Sequence, residues 1–72
     1  MKKINKAKIK INGKKCTINP KMTLKEVIDR FKIPLDKVAI ELNENIIDKK
    51  KLDKIKVNNN DKIEIVHFIG GG

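Results

Sequence analysis

Few residues of this sequence are of a type and spacing that could do chemistry. Cys16 and His67 are its only cysteine and its only histidine. A cysteine becomes a nucleophile when a neighbouring histidine or cationic helix end lowers its pKa, and none marks Cys16. Cys16 instead alternates in phase with Ile18, toward the expected core, and free cysteine is among the most often buried residue types. A zinc centre takes about four ligands, which Cys16 and His67 do not make. Asp29 and Asp36 flank the expected helix end, but nothing pairs them for acid–base work. There is no P-loop, GxGxxG or Ser-His-Asp arrangement. No catalytic residue and no metal site are expected, and the chain is not read as an enzyme.

What the sequence does carry is a run of three glycines, Gly70-Gly71-Gly72, where no turn or cap calls for them. One reading is a frayed end, since termini order poorly whatever their composition. The other is a working tail, because Ile69 and the glycines follow directly on an apolar strand that would hold them at a fixed exit point. Along that strand, Lys62 to Phe68, period-two alternation puts Ile63 and Ile65 inward and Glu64, Val66 and Phe68 outward. Two exposed apolar residues beside a tail make a patch of the kind that marks protein interaction sites. His67, polar and aromatic, fits the same contact. Val66, His67, Phe68 and Ile69 are thus the expected docking residues, and the tail is expected to be mobile.

The elements that must position this end are legible from the N-terminus onward. Lys8-Ile9-Lys10-Ile11 and Lys14-Lys15-Cys16-Thr17-Ile18 alternate polar and apolar around Asn12-Gly13, the strongest short hairpin signal. Thr23-Leu24-Lys25-Glu26 is a capping box, and Leu24, Val27, Ile28 and Phe31 share one helical face. Pro34 should stop that helix after about ten residues. Val38 to Leu42 alternates again, Asn43-Glu44-Asn45 turns the chain, and Ile46-Ile47 fits a very short strand. The charged stretch from Asp48 to Val57 reads as a loop or a single helical turn, and Asn58 to Asp61 as a turn. The order β-β-α-β-(short β)-β belongs to the α+β class: a mixed sheet of four to five strands, with one main helix on one face. The helix joins strand two to strand three, so the first and last strands should lie side by side at the centre.

Seventy-two residues make a single domain, spanning 1–72, that buries only about 60% of its unfolded surface. It leaves little room for a catalytic cavity of ~300–1,000 Å³. The N-terminal residues have no signal-peptide pattern, and no apolar run approaches membrane-span length. A reduced, cytoplasmic protein without membrane association, monomeric when free, is expected. The net charge is +9, yet 17 of the 18 basic residues are lysine and Arg30 is the sole arginine. Lysine lacks arginine's bidentate fork, and only Phe31 and Phe68 could stack on a base. The charge is therefore read as a solvated surface that steers toward acidic partners, rather than as a nucleic-acid site. Lys49-Lys50-Lys51 is read in the same way.

Two stretches, Val38-Ala39-Ile40-Glu41-Leu42-Asn43 and Asn60 through Val66-His67-Phe68-Ile69-Gly70-Gly71-Gly72, resemble the thiamin-biosynthesis sulfur carrier (ThiS) family of ubiquitin-like proteins. The Asn12-Gly13 hairpin and the helix start at Thr23 fall where members of that family place them, so the likeness covers essentially the whole chain. The lysine-rich N-terminus and the Lys49-Lys50-Lys51 run depart from it. The resemblance implies a β-grasp fold and a carrier that is a co-substrate. An E1-like (ThiF-like) enzyme would adenylate the Gly72 carboxylate with ATP and magnesium, the carrier itself binding no cofactor. Sulfur from a cysteine desulfurase or other persulfide donor would convert it to a thiocarboxylate, for use by a thiazole synthase (ThiG-like). Gly70 and Gly71, without side chains, would thread the narrow channel of the partner. Sulfur transfer to molybdopterin or tRNA is the alternative within the class, and a small basic RNA-binding β-grasp domain the alternative outside it.

Overall fold

The computed structural model describes residues 6–68. Five strands form one mixed sheet: β1 (Ala7–Ile11), β2 (Lys14–Ile18), β3 (Val38–Leu42), β4 (Asn45–Ile46) and β5 (Lys62–His67). Their spatial order is β2-β1-β5-β3-β4. A single α-helix, α1 (Leu24–Arg30), crosses one face. Two 3-10 helices complete the described residues, Leu35–Lys37 before β3 and Lys49–Lys54 after β4. This is the β-grasp arrangement expected, with β1 and β5 adjacent and parallel at the centre.

Both hairpins turn on two residues at positive φ: Asn12 (50°) with Gly13 (82°), and Asn43 (50°) with Glu44 (73°). That backbone matches the right-handed twist of the flanking strands. Each turn asparagine also reaches sideways to the central strand. Asn12 Oδ1 accepts from the Ile65 amide at 2.7 Å, and Asn43 Oδ1 accepts from the Lys62 amide at 2.9 Å. The two turns therefore clamp β5 from opposite neighbours.

The capping box at Thr23 forms as the residue types require. Thr23 Oγ1 accepts from the Glu26 amide at 3.1 Å, and the Glu26 carboxylate accepts from the Thr23 amide at 2.8 Å. The helix is shorter than the expected ten residues. It stops at Phe31, before Pro34 can act, because Lys32 turns left-handed at φ 56°. The Ile33 amide then bonds to the Ile28 carbonyl and the Lys32 amide to the Asp29 carbonyl, the Schellman pairing. Phe31 consequently leaves the buried helix face and is 40% exposed, contrary to the helical spacing.

Twelve apolar residues form the core, from the inner faces of β1, β3 and β5, from Ile18 of β2 and from the buried side of α1. Leu52 and Val57 belong to it as well. The stretch from Asp48 to Val57, expected to be a loop or a single helical turn, forms the 3-10 helix Lys49–Lys54 and carries two core anchors. It is tied to the helix start by Leu24 N–H to Ile55 O at 2.7 Å and Val57 N–H to Met22 O at 2.8 Å. Each fully buried Ile, Leu or Val contributes about 1.5–3 kcal/mol through the water it excludes. Cys16 shares the inner face with Ile18 and is partly buried against this core, as its phase predicted.

Candidate functional site

The end of β5 is a zoned surface because its two flanking strands run in fixed register with it. Ile65 lies opposite Ile40, Val66 opposite Ala39 and His67 opposite Val38. Residues paired in this way share a face of the sheet. Ile63 and Ile65 therefore point into the core, while Glu64 and Val66 look out from the face that no helix covers. Beyond His67 the ladder continues by one bond, from the Phe68 amide to the Lys37 carbonyl at 3.0 Å. Phe68, the last of the described residues, is thus anchored by its backbone.

Val66 is 45% exposed and Phe68 63% exposed. Their outward direction is the one the alternation predicted. Phe68 does not fold down onto the body; the Lys49 ammonium lies 5.8 Å from its ring centroid, within cation–π range. The same ammonium donates to the Leu35 carbonyl, so Lys49 links the 3-10 helix after β4 to both sides of the exit.

His67 is brought to the other side. Its partner Val38 faces the core, and His67 lines a groove with Phe31, Ile33, Pro34 and Ile65 beyond the end of α1. It is exposed and it borders the exit, but it is not coplanar with Val66 and Phe68. Cys16 lines the same groove, its thiol 3.6 Å from the Lys14 carbonyl. Among the described residues, no three His, Cys, Asp or Glu side chains gather as a metal site would require. Ile69, Gly70, Gly71 and Gly72, named above as docking and tail residues, lie outside the described residues.

The residues that residue type alone did not single out are Asn12, Asn43 and Lys37. The asparagines hold β5 in place and Lys37 holds Phe68, so together they fix where the chain leaves the sheet. Asn at a hairpin corner signals a turn; nothing in the sequence marks that its side chain will also bond a third strand. Among the described residues, no helix is long and apolar enough to cross a membrane.

The sequence pattern of the ThiS family matches residues 4–72, so the match runs through the terminal glycines. A thiazole synthase from Paramagnetospirillum magneticum is 38% identical over 65 residues, taking in 90% of this chain and 20% of that one. The chain thus spans about a fifth of the length of that relative. The sulfur carrier protein ThiS of Bacillus subtilis is 34% identical over 50 residues, 69% of this chain and 76% of that one. Among solved structures, the thiamine biosynthesis protein (ThiS) of Geobacter metallireducens superposes with a TM-score of 0.80. It is 26% identical in sequence, with 90% of this chain and 99% of that one covered.

Proposed function

This chain belongs to the ThiS family, and we propose that it is the sulfur carrier of thiamin biosynthesis, working in the cytoplasm through its Gly72 carboxylate. The observation that carries the reading is the family match through Gly70-Gly71-Gly72, and the strand that precedes them in sequence is clamped by bonds at Lys62, Ile65 and Phe68. A carboxylate is a poor electrophile at neutral pH. An E1-like adenylating enzyme, using ATP and magnesium, would convert it to an acyl adenylate, which sulfur from a cysteine persulfide then attacks. That attack displaces AMP and leaves an acyl disulfide with the donor cysteine. A second thiol of the partner then reduces the S–S bond, forming a disulfide with that cysteine and releasing the C-terminal thiocarboxylate.

The carrier's own part is positional. Gly70 and Gly71 present no side chain to the walls of a partner's channel, so the terminal carbonyl can reach the nucleotide. Val66 and Phe68 supply the apolar contact outside that channel, and His67 borders it from the other face. None of these groups needs to change protonation state, so the protein is consumed and regenerated as a co-substrate.

Thiazole synthase is the sulfur acceptor under this reading. Support comes from relatives of that name, from Paramagnetospirillum magneticum and Magnetococcus marinus, that hold a stretch similar to this chain within a much longer one. The test is transfer. Carrier loaded with radiolabelled sulfur, mixed with thiazole synthase and its small-molecule substrates, should pass the label into the thiazole product. Label that stays on the carrier with a synthase shown to be active would refute the assignment to this pathway.

A further inference from the structure

On the uncovered face of the sheet, like charges stand directly opposite one another. Lys10 on β1 is the register partner of Lys15 on β2 and of Lys62 on β5. Three ammonium groups therefore start from one row at the strand spacing of about 4.8 Å. Lys8, two residues before Lys10 and on the same face, adds a fourth. Like charges facing each other across strands destabilise a sheet. Among the described residues only Lys62 of these four has an ion-pair partner, Glu44 at 3.3 Å, with the glutamate side chain 79% exposed. The acidic residues of this face, Glu64 and Glu41, oppose each other in the next row instead of alternating with the lysines. The charges are sorted into rows where interleaving would have been the more stable choice.

We propose that the Lys15–Lys10–Lys62 row, with Lys8, is a docking surface for an acidic patch of the partner protein. This rests on the reading above, which makes that partner thiazole synthase. The row lies on the same face as Val66, and both are carried by β5, so a partner that takes the tail and covers Val66 extends naturally over the lysines. The lysines border a trough that also takes in Thr17, Asn43 and one carboxylate, Asp61. Its oxygens already accept from Asn43 Nδ2 and the Asn58 amide, so four ammonium groups face one engaged carboxylate in a concave surface suited to a protruding acidic segment. Lysine suits steering at a distance, because it is a mobile, hydrated charge without a fixed fork. A nucleic acid is the lesser match, since no aromatic side chain stands among these lysines to stack a base. Repulsion within the row is relieved when the acidic patch binds.

The test uses the full chain and four forms: wild type, Lys10→Glu alone, Lys10→Glu with Lys15→Glu, and Lys50→Glu with Lys51→Glu as a control of equal net charge to the double row variant, on the 3-10 helix. The single change Lys10→Glu, which turns two like-charge pairs into opposite ones, should raise the melting temperature by roughly 4–8 °C. The rate of association with thiazole synthase, followed by stopped-flow fluorescence, should fall about tenfold or more for the row variant at low salt. The gap should narrow as salt rises, and the control should stay within about twofold of wild type. Equal slowing in row and control variants would show a net-charge effect alone and overturn the proposal, as would no slowing in either. Binding of a single-stranded RNA at physiological salt that is lost in the row variant would overturn it in favour of a nucleic-acid site. Sulfur loading of the wild-type terminus is measured alongside. Loading with docking insensitive to the row refutes this inference alone, whereas failure to load with active enzymes refutes the carrier reading and this inference with it.

Discussion

Along β5, neighbouring residues live in different worlds. Ile63 and Ile65 sit in the core at 0% and 9% exposure, while Val66, one residue further on, is 45% exposed on a face no other element covers. The inner face is uniform, apolar and sealed by α1 and by Leu52 and Val57. The outer face is banded: lysines across β2, β1 and β5, then Glu64 against Glu41, then Val66 against Ala39. The difference separates two tasks. Residues of the inner face set most of the stability of the domain, whereas those of the outer face change it by about 1 kcal/mol at most, through the sorted charge rows. A small chain cannot devote many core residues to recognition, and its outer face is the side whose exposed residues are available for it.

The comparison breaks if the two faces respond alike to substitution. Ile63→Ala on the inner face should cost about 2–5 kcal/mol, from lost burial and the cavity left behind, as measured by urea denaturation. Much of a domain this small would then be unfolded, with carrier activity lost in proportion. Val66→Asp, three residues away on the outer face, should change stability by no more than about 0.5 kcal/mol. Its effect should appear in partner affinity, which we expect to drop about tenfold, near 1.4 kcal/mol, by calorimetry with thiazole synthase. Phe68→Ala should behave in the same way. A large stability loss at Val66 with unchanged affinity would invert the scheme.

A substitution on neither face sharpens the contrast. Lys32 holds the left-handed position that ends α1, where glycine has no steric penalty. Lys32→Gly should leave the caps intact and stabilise the domain by about 0.5–1 kcal/mol, without altering affinity for any partner. Loss of stability there would show that the Lys32 side chain contributes more than its backbone geometry implies.

Most of this architecture is legible in the residue pattern. The Asn12-Gly13 turn, the Thr23 capping box, the alternation of Val38 to Leu42 and the outward direction of Val66 and Phe68 each follow from a local rule, and each is present. What local rules miss is set by distant partners. Lysine carries no signal for a left-handed turn, so Pro34 looked like the helix stop when Lys32 and Ile33 had already closed it. Lys49-Lys50-Lys51 is exposed as its charge implies and lies on a short 3-10 helix, but that Leu52 and Val57 beside it are core is set by the distant helix start they pack against. The side chains of Asn12 and Asn43 bond a strand more than eighteen residues away in sequence, which no turn propensity reports.

The central claim, that the working group is the carboxylate of Gly72 and the folded domain serves to present it, is tested most directly by intact mass spectrometry. The protein is incubated with ATP, magnesium, its adenylating enzyme and a persulfide donor, beside a form lacking Gly72. The account predicts that wild type exchanges one terminal oxygen for sulfur, and that the shortened form, equally stable, does not. An unchanged mass for wild type with an enzyme set shown to be active, or equal loading of the shortened form, would contradict it.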